Sequence, residues 1–259
     1  MEQKKLTFRE HLGELRRALI VSGVALIICF AVGVVFSDYI DVALRLPIKG
    51  LLPPGSDEPV YLGIFEPIFY RLKLGLIGGI FAASPIVFWQ IWWFISPGLY
   101  QKERRMALPF IFIASLFFLG GAAFCYFIVL PKAAAFSIGQ VADNTKIILS
   151  LRSYLSNASM FILAFGLVFE TPVIVFLISW IGLVSPKTLG RYRKYVLLGA
   201  FIIAAVITPT PDAINQSIMA LPIYILYELG MLAARIVEHR RKKRRKKEEQ
   251  TDNPQRKKQ

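Results

Sequence analysis

Three acidic residues interrupt stretches that are otherwise basic or uncharged, and each invites a particular chemistry. Glu14 stands in His11-Leu12-Gly13-Glu14-Leu15-Arg16-Arg17, and Glu103 in Tyr100-Gln101-Lys102-Glu103-Arg104-Arg105. A carboxylate meets a guanidinium fork through charge-assisted hydrogen bonds, each about 1.5–3 kcal/mol when partly desolvated. Two such carboxylates on one face could receive a dication. The three bases around Glu103 suffice for a topogenic turn, for which Glu103 is unnecessary. For Glu14 the spacing by itself favours a plainer arrangement: Arg17 lies three residues on, and an i,i+3 pair on a solvated face needs no ligand. Glu170 falls inside an apolar run. At mid-membrane depth an ionisable group costs at least about 2.5–3.5 kcal/mol, so it must face protein or water. At 100° per residue, Ser156, Ser159, Leu163 and Gly166 lie within about 40° of its direction, a small and polar strip. Either the acid is tied to a neighbouring helix, or the strip is a polar groove that accepts polar cargo or lets the bilayer thin. In Thr208-Pro209-Thr210-Pro211-Asp212, Asp212 can cap the next helix. Gln216 then sits one turn on, where an amide at membrane depth seeks a partner helix. Capping is the plainer role there, and docking of another protein's polar transmembrane residue the sharper one. No nucleophile–base pair, phosphate loop or metal-ligand spacing is present, so nothing supports an enzyme or a cofactor. Cys29 and Cys125 sit in apolar runs and make no disulfide framework.

These residues need elements to carry them. The chain has 259 residues, is 55% hydrophobic and 19% charged, and its mean hydropathy is +0.53. That excludes an ordinary soluble domain. The net charge of +14 is concentrated in the segments that flank the long apolar runs, above all the C-terminal tail, unlike the surface of a nucleic-acid binder. Six runs are candidate membrane helices: 19–36, 74–95, 106–130, 157–183, 195–207 and 214–236. Crossing a core of ~30 Å takes about 20 helical residues, so the fifth is short. The first run lacks a small-x-small cleavage pattern and reads as a retained helix. Pro131 closes the third. Alternate flanking segments hold twenty-four and seven Lys or Arg, which places both termini in the cytoplasm. The outside segments near 37–66 and 131–156 are long enough to cap the bundle. No half-chain repeat is visible. The expected divisions are a cytoplasmic amphipathic helix over 1–18, a six-helix transmembrane domain over 19–236, and a basic, disordered cytoplasmic tail over 237–259. The tail would anchor at the anionic inner leaflet.

HLGELRRAL near the N-terminus, FISPGLYQKERR after the second run, FGLVFETP in the fourth, and TPTPD followed by NQ resemble the TatC family, the core membrane subunits of the twin-arginine protein translocase. The resemblance covers about residues 5–237. It implies an all-α polytopic membrane protein: six transmembrane helices in a concave bundle, with helices five and six short. It also implies a non-enzymatic receptor that binds the Arg-Arg signal peptides of folded cargo, driven by the protonmotive force. Glu14 and Glu103 match the carboxylates that meet the paired arginines, and Arg16, Phe94 and Arg105 match residues flanking that site. Pro47 matches a functional proline of the first outside loop, and Glu170 the intramembrane acid. Thr208, Asp212 and Gln216 match the region contacted by single-helix TatA- and TatB-type partners. Other TatC copies and the lipid bilayer complete the implied partners, with no nucleic acid. Some members carry TPPD where this chain has TPTPD. The rival function is a proton-coupled small-solute transporter using Glu170; a plain membrane anchor is a third, in which changes at Glu14 and Glu103 are silent.

Overall fold

The computed structural model describes residues 8–48, 61, 63–96, 107–139, 150–207 and 213–256. Among these the chain is helical and contains no strand. Glu103, Arg105, Thr208 and Asp212 lie outside the described residues. Five helical stretches are long and apolar enough to cross a membrane: Arg9–Val35, Glu66–Ile95, Ala107–Gly139, Arg152–Ile181 and Met219–His239. The chain divides into two compact units, Met1–Leu167 and Val168–Gln259.

In the first unit, α1 (Phe8–Val35) runs without a break across the expected boundary at residue 18. No proline interrupts it, so the amphipathic start and the first span are one helix. A short α2 (Ser37–Arg45) follows, then a 3₁₀ turn (Leu46–Ile48), and α3 (Glu66–Ile95) returns antiparallel to α1. The two ends of this pair fix that direction. His11 of α1 stacks on Phe94 of α3, while Gly33 meets Gly75. Lipid tails are as apolar as leucine, so helices in a bilayer associate through close packing, which small residues permit. A Cβ on Gly75 would fall 2.8 Å from the backbone nitrogen of Val34, and one on Gly79 2.8 Å from the Cα of Phe30. Gly75-Leu76-Ile77-Gly78-Gly79 is thus the seam of the first unit.

The third run differs from expectation. α4 (Ala107–Phe124) passes through a π-helical turn (Cys125–Val129) into α5 (Leu130–Gly139), and Pro131 does not end it. Proline lacks the N–H that an α-helix requires. The chain widens by one residue just before it, and the Leu130 N–H bonds to the carbonyl of Cys125, five residues back. The widened turn carries Tyr126, whose hydroxyl donates to the carbonyl of Ala43 at 2.5 Å. On α6 (Leu151–Phe169), Tyr154 donates to the carbonyl of Leu44 at 2.6 Å. Both carbonyls belong to the last turn of α2, where that of Ala43 also accepts the Leu46 N–H. Asp41 of α2 binds Arg45 and the hydroxyl of Tyr70, and Asp38 meets Arg71 at 3.0 Å. Burial opposes the Arg45 charge, but the hydrogen bond and charge of Asp41 outweigh it and hold its pKa above the ordinary value. The start of the segment that joins α1 to α3 is therefore fastened in place.

In the second unit, α7 (Thr171–Ile181) carries Pro172 in its first turn and closes on Gly182, whose φ of +87° only glycine adopts freely. Ser185 caps α8 (Pro186–Arg191) by accepting the Thr188 N–H at 3.2 Å. α9 (Arg193–Ile207) has 15 residues, about 22 Å, short of a normal core as the sequence expects. α10 (Ala213–Arg256) packs on α7 at Gly230, where a Cβ would fall 2.8 Å from the Cα of Pro172. Val175, Tyr227 and Met231 form the core, with Leu189 and Val196 against it. α10 continues far beyond the apolar stretch, where the sequence reading expects disorder. Between Gly230 and Pro254 there is no glycine or proline, and Lys, Arg, Glu and Gln dominate. These are strong helix formers, and a helix already nucleated by packing extends through them at little cost.

Candidate functional site

The meeting of the α1 start with the α3 end gathers two of the residues expected at one site. Glu14 projects beside His11, its Oε2 3.5 Å from Nδ1. That oxygen is covered from solvent and has no hydrogen-bond partner among the described residues. His11 in turn stacks on Phe94, ring centres 4.4 Å apart and planes 17° from parallel. One turn on, the Arg17 guanidinium lies 5.4 Å over the Trp93 ring. The Glu14–Arg17 pair favoured by spacing is therefore not what forms. Arg17 is drawn to an aromatic face, a contact worth about 0.5–1 kcal/mol or more, and Glu14 turns the other way. Arg16 is exposed. The arrangement is a half-buried carboxylate on an aromatic floor, with bases at its edge. Such a floor lowers the local dielectric and strengthens a charge-assisted bond to an incoming cation. His11 and Trp93 were missed by sequence reasoning. The signal available was the shared interfacial end of both helices.

Glu170 sits at the break between α6 and α7 and is buried, 6% exposed. Its carbonyl accepts the Ile174 N–H at 2.9 Å, so α7 starts from Glu170 as its cap residue. Pro172 explains the break, since the carbonyl of Val168 loses its usual donor. The strip expected to lead to Glu170 is mostly packed. Ser159 is buried and its hydroxyl turns back to the Leu155 carbonyl of its own helix. Gly166 lies under the Phe118 ring, where a Cβ would approach to 2.8 Å. Only Ser156 finds a charged partner, accepting from Lys73 Nζ at 2.9 Å. Pro47 lies in the 3₁₀ turn held by the α2 cap, partly exposed. Gln216 lies in the first turns of α10, also partly exposed.

A further polar cluster was not anticipated. Arg193 donates to Glu228 at 2.7 Å, and Tyr224 donates to the other oxygen of Glu228 at 3.2 Å. Tyr227 donates to the carbonyl of Leu189 at 2.7 Å. These bonds tie the α8–α9 elbow to α10. Glu228 interrupts an apolar run, which was the sequence signal.

Five helical stretches long and apolar enough to cross a bilayer define a multi-pass α-helical membrane protein. The profile of the family described as Sec-independent protein translocase protein (TatC) matches residues 10–222. The Sec-independent protein translocase protein TatC of Desulforapulum autotrophicum is 39% identical over 235 residues, covering 91% of this chain and 86% of that protein. The TatC of Escherichia coli (strain K12) is 36% identical over 225 residues, covering 87% and 86%. A crystal structure described as the twin arginine translocase receptor TatC superposes with a TM-score of 0.76 at 35% identity, covering 87% of this chain and 98% of that one. The chain belongs to the TatC family of Sec-independent protein translocase proteins.

Proposed function

We propose that this chain is the receptor and scaffold subunit of a twin-arginine translocase. Glu14 and Glu103 receive the paired arginines of a signal peptide, with Arg16, Phe94 and Arg105 around them. The observation that carries this is the covered Glu14 oxygen, without a hydrogen-bond donor among the described residues, set beside the His11–Phe94 stack. A guanidinium there would find an acceptor and a flat surface at once. The crystal structure of similar fold is named a twin arginine translocase receptor, which supports the assignment. Both termini then face the cytoplasm, as the charge bias requires, in the inner membrane. Single-helix TatA- and TatB-type subunits dock near Thr208, Asp212 and Gln216, other TatC copies complete the complex, and the protonmotive force drives transport of folded cargo. Pro47 acts from the outer cap, and Glu170 as the intramembrane polar site. The packing of Gly166 and Ser159 weighs against a solute path along α6, and so against the transporter alternative.

The test is site-specific crosslinking of the membrane-inserted protein to a twin-arginine signal peptide. The doubly substituted Glu14→Gln, Glu103→Gln protein is expected to insert normally and lose the crosslink, whereas a Lys-Lys peptide should already crosslink poorly to the unaltered protein. Undiminished crosslinking in the double variant refutes the assignment.

A further inference from the structure

The basic end of the second unit carries more cation than its own acids neutralise. The α8–α9 elbow holds Lys187, Arg191, Arg193 and Lys194 in eight residues with no acid among them. The Tyr227–Leu189 bond sets this elbow against the last turns of the apolar part of α10. Gly190 lies opposite Arg235, whose Nη2 is 3.6 Å from where a Cβ would stand. Arg193 is consumed by Glu228. Among the described residues Lys187, Arg191 and Arg235 make no ion pair, and all three are exposed. Exposed tyrosine rings flank them: Tyr192 and Tyr195 are 51% and 57% accessible, with Lys194 5.1 Å over the Tyr195 ring. Amphipathic rings of this kind settle at the headgroup level of a bilayer. One residue past the end of the apolar span at His239, the unbroken helix α10 enters Arg240–Lys247, eight consecutive bases. A helix rises about 1.5 Å per residue, so with no linker the first few backbone positions of this run would lie, in a bilayer, within a Debye length of the headgroups, about 8 Å at physiological ionic strength.

We infer that this end of the second unit is a binding surface for anionic phospholipid, in which Lys187, Arg191 and Arg235 share phosphodiester headgroups and the tail helix adds a diffuse attraction. The family profile ends at residue 222, before Arg235 and the basic run. Lipid is the partner that fits because the cations sit beside interfacial rings at the end of a membrane span. A soluble acidic ligand would need no such rings.

The test uses the full-length protein, delipidated in neutral detergent and titrated by native mass spectrometry. Phosphatidylglycerol, phosphatidylcholine of the same acyl chains, and inorganic phosphate serve as separate probes. Phosphatidylglycerol should be retained over phosphatidylcholine, and inorganic phosphate should not compete. Lys187→Gln with Arg235→Gln should cut that preference by about fivefold per base removed, leaving phosphatidylcholine retention unchanged. A chain ending at His239 should lose a further share while keeping the same melting temperature, which guards against loss of fold. Equal retention of the two lipids, an unchanged preference in the double variant, or displacement by inorganic phosphate would overturn the inference.

Discussion

The α1–α3 seam makes a sharp prediction at Gly79. Replacing it by alanine adds one methyl group, which would sit 2.8 Å from both the Cα and the N of Phe30 and 3.1 Å from the carbonyl carbon of Cys29. All three neighbours are backbone atoms, so no rotamer change relieves the clash. The helices must separate by about 0.6 Å to reach 3.4 Å, the near edge of ordinary contact. Overpacking of this kind costs about 1–3 kcal/mol. Alanine recovers about 0.8–1 kcal/mol in helix propensity over glycine. Gly120→Ala is the control, because a Cβ there meets nothing within 4 Å and only the propensity gain applies. The two variants should therefore differ by roughly 1–3 kcal/mol, and at about 2–4 °C per kcal/mol Gly79→Ala should melt several degrees below Gly120→Ala. Thermal unfolding in detergent followed by tryptophan fluorescence reads this directly, because Trp89, Trp92 and Trp93 all lie on α3. Coincident melting curves, or a more stable Gly79→Ala, would refute the seam as the close contact that holds the first unit.

Two further outcomes follow from the polar contacts. Tyr154→Phe deletes the hydroxyl that satisfies the Leu44 carbonyl and should cost about 0.5–1.5 kcal/mol, with faster protease cleavage after α2; limited proteolysis of the purified protein in detergent checks it, and unchanged cleavage excludes the fastening role. Glu228→Ala strands Arg193 and should loosen the α8–α9 elbow more than Arg193→Ala loosens it, since Tyr224 also depends on the acid; hydrogen exchange across residues 186–196 in the two variants measures the difference.

Much of the architecture was legible because span length is set by bilayer thickness, and uncharged runs report it. The limits at Val35 and Ile95 agree with the apolar runs to within a residue. Pro131 misled because proline was weighed as a stop, whereas a helix inside a protein can absorb it by widening one turn. The tail misled because composition signals the lack of a core, not the lack of a helix. At the candidate site, Glu14 was legible as an acid among bases, but its neighbours were not. Whether it meets Arg17 or His11 depends on how α1 is rotated against α3, and that rotation is fixed some distance away by Gly33, Gly75 and Gly79. The Gly75-to-Gly79 spacing is the small-residue motif of packed membrane helices and was the overlooked signal.

The same seam has a consequence for how the chain is made. It joins the first two long spans, so both partners are present before residues 107–207 have left the ribosome. Domains and their parts fold as units during synthesis, the N-terminal ones first. A helical hairpin that closes on glycine backbone contacts needs nothing from the later helices. It can lock while they are still being inserted and then serve as the fixed edge against which α4 assembles.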